Sequence, residues 1–265
     1  MIYKKYLIIA SKKDLAGINI TTQLSQLGNY NFYLRDEDII SDINLNHGKI
    51  NEYDFVIFAS KHKSESGEKT LSIHAPGNFR NADMGGKPEK ICPTSAQFLK
   101  QAFEKLNKNA ARFHLRDYNI TLECTHHGPL ISKPCMFIEI GSNEREWKDL
   151  KAGFVVAKTI QEIIEEFKEN PYNEIAFGIG GPHYCPNFNK LQLNSNVAIG
   201  HIIPCYVLPL KENMIQEILD KSLEEIDFAV LDWKGIKTTE MRKQVTDILD
   251  KFYIRYEKTS YINKR

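Results

Sequence analysis

Short runs of β-branched and aromatic residues alternate along this chain with longer stretches whose apolar residues recur at helical spacing. That alternation confines it to an α/β fold. The runs at 6–10, 54–59, 120–124, 135–140, 175–179, 197–203 and 228–231 read as strands, several of them almost continuously apolar, as strands covered on both faces are. Phe98, Leu99, Ala102, Phe103 and Leu106 keep helix spacing. So do Val156, Ile160, Ile163 and Phe167; Ile215, Ile218, Leu219 and Leu223; and Met241, Val245, Ile248 and Phe252. Pro93 fits the first turn of one helix, and Asn170-Pro171 stops another. The expected architecture is a mixed or parallel central sheet flanked by helices. No repeat, low-complexity tract or linker divides the chain, so residues 1–265 read as a single domain. The least regular stretch, 60–90, reads as an elaborated loop region, and loops of that length are often functional.

A chain that is 42% hydrophobic and 26% charged is not disordered. No apolar run approaches the roughly 20 residues that span a bilayer, so no membrane partner is expected. The N-terminal Tyr6-Leu7-Ile8-Ile9-Ala10 is too short for a signal-peptide core and reads as the first core strand. A cytoplasmic location is expected. Cys92, Cys124, Cys135, Cys185 and Cys205 include no CxxC pair, so zinc ribbons and thioredoxin-like sites are poorly supported. Proteins that coat nucleic acid are strongly basic, whereas the net charge here is +1. DNA is therefore not an expected partner, and any contact with RNA must be local. Candidate cations are Lys61 and Lys63 beside His62, Lys87 and Lys90 beside Gly85-Gly86, and Arg112 with Arg116. Each also reads as an ordinary solvated face.

The histidines carry the functional information. His62 follows the strand ending at Ala59, and His126 and His127 follow the run 120–124. His183 follows the run 175–179, His201 opens Gly200-His201-Ile202-Ile203-Pro204, and His74 precedes Pro76-Gly77-Asn78. Ligands of open α/β sheets bind in the crevice beyond the carboxyl ends of the strands, where these histidines could converge. Adjacent residues of a strand point to opposite faces, so one of His126 and His127 could reach a substrate while the other supports it. Glu123 is a carboxylate in an apolar strand, and it reads either as a salt-bridge partner or as a general base or histidine-orienting group.

Two further chemistries stay open at the level of residue type. His183-x-Cys185 and Cys124-x-His126 bring zinc-ligand types together, though no HExxH is present. His126, His183, Cys185 and His201 are the metal-ligand candidates. Cys185 beside His183 could instead act as a thiol nucleophile. The amides of Gly180 and Gly181 could form an oxyanion hole. Gly178-Ile179-Gly180-Gly181 is not a dinucleotide loop, because the third glycine of GxGxxG would fall on His183.

The same segments resemble the archaeal and plant-type D-aminoacyl-tRNA deacylases, also called D-tyrosyl-tRNA deacylases. The matching stretches are Ser60-Lys61-His62-Lys63-Ser64 and Leu71-Ser72-Ile73-His74-Ala75-Pro76-Gly77-Asn78. Glu123-Cys124-Thr125-His126-His127-Gly128-Pro129 and Gly178-Ile179-Gly180-Gly181-Pro182-His183-Tyr184-Cys185-Pro186 are the specific ones, and Gly200-His201-Ile202-Ile203-Pro204 adds to them. The resemblance implies a zinc-dependent hydrolase of the ester joining a D-amino acid to the terminal ribose of tRNA, with a fold similar to peptidyl-tRNA hydrolase. Its partner would be the acceptor end of D-aminoacyl-tRNA, and a monomer is the expected unit.

On that reading water is activated by zinc or by Glu123 with His126, supported by His127, and Gly180 and Gly181 stabilise the oxyanion. His74 and Asn78 hold the ribose or amino group, and His62, Lys61 and Lys63 complete the substrate contacts. Another α/β hydrolase of small esters, amides or peptidyl-tRNA, or a non-catalytic tRNA-end binding protein, remains the alternative.

Overall fold

A computed structural model describes residues 3–65 and 67–262; residues 1, 2 and 263–265, and Ser66 within the expected loop region, lie outside the described residues. The chain begins with β1 (Tyr6–Ser11), β2 (Phe32–Arg35), β3 (Phe55–Lys63) and β4 (Thr70–His74). A short pair follows, β5 (Gly77–Asn78) and β6 (Lys90–Ile91), and then β7 (Asn119–Leu122) and β8 (Cys135–Ser142). The last strands are β9 (Glu174–Ile179), β10 (Val197–Ile203), β11 (Phe228–Leu231) and β12 (Tyr256–Lys258). The helices are α1 (Leu15–Leu27), α2 (His47–Ile50), α3 (Ala96–Arg112), α4 (Glu144–Trp147) and α5 (Leu150–Glu166), then α6 (Pro186–Asn194), α7 (Glu212–Lys221), α8 (Thr239–Lys251) and α9 (Thr259–Ile262).

The central sheet has the order β2-β1-β3-β8-β4-β7 and is mixed, because β4 runs antiparallel to β8 while its other pairings are parallel. The strands at 174–179, 197–203 and 228–231 form, with β12, a second and wholly parallel sheet. One apolar core crosses both sheets, joining Ile8, Ile57 and Ile138 to Ile199, Phe228 and Val230 beneath α1, α3 and α5. The helix-spaced residues from Phe98 to Leu106 and from Val156 to Ile163 lie in it.

Its most aromatic part stacks Phe98 on Phe55 at 4.0 Å, with Tyr3 and Tyr6 around them. Phe98→Ala should therefore cost about 3–5 kcal/mol, because the cavity cannot collapse between packed rings. Urea unfolding checks this, and a loss below about 1 kcal/mol would contradict the packing.

Three sequence expectations are corrected here. Pro93 stands before α3 rather than in its first turn. The cap is Ser95, whose hydroxyl accepts the Phe98 N–H and also meets Glu224. The region 60–90 is not wholly loop, since it holds the end of β3 and all of β4. Thr70, Ser72 and His74 alternate with only two apolar residues in β4, so the strand lacks the apolar run that marks its neighbours. Finally, β7 stops at Leu122, and Glu123 to His127 leave the ladder.

Candidate active site

The alternation that hides β4 also builds the site. On one face of the central sheet Ile57, Ala59, Leu71, Ile73, Ile138 and Ile140 enter the main core. On the other face, Val56 and Phe58 in β3 and Cys135 and Phe137 in β8 are apolar. Further along the same strands that face turns polar, with Ser60 and His62, Glu139 and Gly141, then Ser72 and His74 from β4. Glu123 extends this polar face just past β7, its N–H donating to the Ile73 carbonyl at 3.0 Å. The cluster thus lies across a sheet face rather than beyond a row of parallel strand ends. Because β4 is antiparallel to β8, His62 sits opposite Gly141 while His74 sits opposite Phe137. Glu139, between them, reaches both, its Oε2 3.8 Å from His62 Nδ1 and 3.6 Å from His74 Nε2. Gly141 is required beside it, because a Cβ there would lie 2.8 Å from the His62 ring.

Glu123 is the hub. Its Oε2 accepts from His183 Nε2 at 2.9 Å and lies 3.4 Å from His126 Nε2. Its Oε1 is 3.1 Å from His62 Nδ1, yet no well-aligned hydrogen bond reaches that oxygen. Burial opposes ionisation of Glu123, but the hydrogen bond from His183 and the charge of His62 outweigh it and hold the carboxyl well below the usual range. Glu139 is held low in the same way, burial being outweighed by the nearby imidazoles of His62 and His74. On the other side of these pairs, burial opposes the charge on His183, but its contacts with Cys124 and Glu123 push its pKa up to about 10. His62 is likewise raised against its burial by Glu139 and Glu123, and its Nε2 meets the Tyr184 hydroxyl at 2.8 Å. Two ionised carboxylates are thus matched by a charged His183 and by a His62 whose charged form they favour.

Three other histidines are held by backbone carbonyls. His126 Nδ1 donates to the Cys124 carbonyl at 2.8 Å, His127 Nδ1 to Gly128 at 2.6 Å and His74 Nδ1 to Ala75 at 3.2 Å. A backbone carbonyl on Nδ1 fixes the tautomer in which Nε2 keeps its lone pair, the usual support of a metal-binding histidine. One ligand atom from each of the three lies within 4.8 Å of the others, and His74 Nε2 is buried with no hydrogen-bond partner. Burial, followed by the neighbouring histidines, depresses His126 well below its ordinary value and takes His127 down to about 4, so both are neutral imidazoles. The donor set fits a divalent ion such as zinc, which takes neutral imidazole nitrogen. The expectation that His126 and His127 point apart does not hold, since their ring centroids are 4.2 Å apart. His127 has φ 46°, so the chain turns there and strand alternation no longer applies.

Other expected residues fall elsewhere. His201 is fully buried, its Nδ1 3.1 Å from the Thr125 hydroxyl, and it joins no ligand group among the described residues. Burial lowers it to about 3. Cys185 is also outside those groups, its thiol turned to the carbonyls of Pro182 and His183, and burial pushes the thiol well up, which suits neither a ligand nor a nucleophile. The Gly180 N–H donates to Ile203 O at 2.8 Å, and Gly181 packs against Asp232 and Gly235. Both φ values are positive, 100° and 81°. These glycines let the turn pass close to residues 232–235 and aim His183, and the Gly180 amide is already taken by Ile203. The Asn78 amide donates to Gly85 O at 2.9 Å and shapes that loop. Lys61 and Lys63 alternate with His62 and face away from it, Lys61 lying 3.8 Å from Asp38. His62, His74, Glu123, His126, His127 and His183 do converge. Cys124, noted in sequence for its spacing to His126, reaches the cluster, its Sγ 3.4 Å from His183 Nδ1; sequence reasoning missed Glu139, whose signal is a lone acid in an otherwise apolar run, and Tyr184 and Tyr206, which carry no signal of their own.

Paired buried carboxylates, charged histidines and a free imidazole trio over an α/β sheet are the equipment of a hydrolytic enzyme. The sequence model of the family described as D-aminoacyl-tRNA deacylase matches residues 49–257, and the chain belongs to that family. It is 32% identical to the D-aminoacyl-tRNA deacylase of Methanocaldococcus jannaschii, over 91% of this chain and 94% of that one. It is 34% identical to that of Thermococcus onnurineus, over 94% and 98%. A crystal structure described as a conserved protein of unknown function, AF0625, superposes with a TM-score of 0.89 at 28% identity, covering 98% of this chain and 97% of that one.

Proposed function

We propose that this chain, by family a D-aminoacyl-tRNA deacylase, hydrolyses the ester between a D-amino acid such as D-tyrosine and the terminal ribose of tRNA at the cluster around Glu123. The supporting observation is Glu123 itself, ionised, almost wholly buried and with Oε1 open to a new hydrogen bond. Glu123 takes a proton from the attacking water, which adds to the ester carbonyl. The C–O bond to ribose then breaks, and Glu123 returns that proton to the leaving ribose oxygen. The charged His183, partly open to solvent, stabilises the negative charge that develops. An aminoacyl ester is already reactive, so positioning does much of the rest.

The His74, His126 and His127 trio is the place for zinc. When bound, zinc supplies Lewis acidity, polarising a carbonyl and lowering the pKa of water. No helix among the described residues is long and apolar enough to cross a membrane, and a tRNA substrate favours the cytoplasm. The biological outcome is recovery of mischarged tRNA and exclusion of D-residues from translation.

D-tyrosyl-tRNA and L-tyrosyl-tRNA, assayed side by side, test the reading. Release from the D form alone is the expected result. Equal release would make the chain a general esterase, and comparable turnover of small esters without tRNA would favour a different hydrolase.

A further inference from the structure

Tyr206 lies in the tight turn Cys205–Val207 that follows β10. It is 55% exposed. A single exposed tyrosine is ordinary, and Tyr253 and Tyr261 are more exposed still. Tyr206 differs in where its polar end goes. The hydroxyl lies 3.1 Å from Sγ of fully buried Cys124 and 3.4 Å from Nδ1 of His183. With the oxygen drawn into the site, the exposed area belongs to the ring. The turn beneath it is fixed by the Cys205 N–H donating to Gly181 O at 3.0 Å and the Val207 N–H to Pro204 O at 3.3 Å. Tyr184, on the other side of His183, is spent inside the cluster on His62. The mouth of the site therefore presents an anchored aromatic face beside a charged imidazole.

We propose that Tyr206 is the stacking platform for the terminal nucleobase of the tRNA acceptor end. The inference rests on reading the Glu123 cluster as the active centre. The scissile ester hangs from the terminal ribose, and the base is attached to the same sugar. A carbonyl held at Glu123 and His183 therefore brings that base to the rim where Tyr206 stands. Stacking accepts any base, because every base has a π-face. It also suits the weak net charge of +1, since stacking does not depend on phosphate neutralisation.

The test compares Tyr206→Leu, Tyr206→Phe and Tyr206→Trp. Each is measured for steady-state hydrolysis of D-tyrosyl-tRNA and for inhibition by an uncharged oligonucleotide ending in CCA. Tyr206→Leu should raise KM and the oligonucleotide's inhibition constant about 10-fold, within the roughly 5- to 150-fold that a base–aromatic stack supports, with kcat within about threefold. Tyr206→Phe, which keeps the ring, should restore both constants. In Tyr206→Trp the oligonucleotide should quench indole fluorescence, a reading that stands even if the leucine variant folds poorly. The proposal is overturned if the leucine variant binds the oligonucleotide as well as the parent does. It is also overturned if phenylalanine loses as much as leucine, or if the indole is not quenched. Glu123→Gln run in parallel separates the two readings: full activity there removes the active-centre assignment, whereas the oligonucleotide titration reports the stacking contact directly.

Discussion

Glu123→Gln lowers kcat for D-tyrosyl-tRNA hydrolysis by about 10²- to 10⁴-fold, the range set by loss of a positioned general base. The substitution keeps side-chain volume and removes only the charge. Oε2 is the acceptor for His183 and Oε1 lies buried beside His62 with no hydrogen-bond partner, so an amide offers neither a proton acceptor of the same strength nor the field that favours the charged form of both histidines. Breaking a buried pair by removing one partner costs about 3–5 kcal/mol when the remaining charge cannot adapt. Here His183 and His62 can release their protons, so the stability loss should fall short of that. Single-turnover kinetics well below the thermal midpoint separate the two effects. A variant within about threefold of the parent would remove Glu123 from the chemistry.

Removing metal has the second large effect. Chelation should lower activity by about 10²- to 10³-fold, as expected when several kcal/mol of Lewis-acid stabilisation are lost, and zinc should restore it. Elemental analysis locates the ion independently of turnover. His74→Ala, His126→Ala and His127→Ala should each lose zinc, because each removes one imidazole whose Nδ1 is tied to a carbonyl. His201→Ala and Cys185→Ala should retain it, since neither side chain reaches that trio. Protein purified without chelator that holds no zinc, and whose activity EDTA leaves unchanged, would contradict the assignment. Loss of zinc from the His201 variant alone would return the ligand set to the β10 segment.

The strands of the main core and the long amphipathic helices are legible from apolar periodicity alone, because burial on both faces writes itself into consecutive residues. β4 is not, since its outward face is the site and its polar residues break the pattern. The histidines could be found because they stand at strand ends and beside Gly and Pro, but their roles could not. His126 and His127 share one pocket through a backbone turn at His127, which a strand rule inverts. His201 sits in an equally suggestive motif and is a buried support for Thr125. Gly180 reads as an amide donor until its pairing with Ile203 is known. Each error concerns direction in space, which depends on the antiparallel placement of β4 and on how β9 and β10 dock, and no local pattern encodes either.

The most direct test is the release of D-tyrosine from D-tyrosyl-tRNA by the parent protein and by Glu123→Gln, with L-tyrosyl-tRNA beside both. Family membership predicts rapid release from the D form by the parent and no release of L-tyrosine, and the arrangement around Glu123 predicts at least about 100-fold slower release by the variant. Undiminished release by a folded Glu123→Gln protein, or equal release of both enantiomers by the parent, would contradict it.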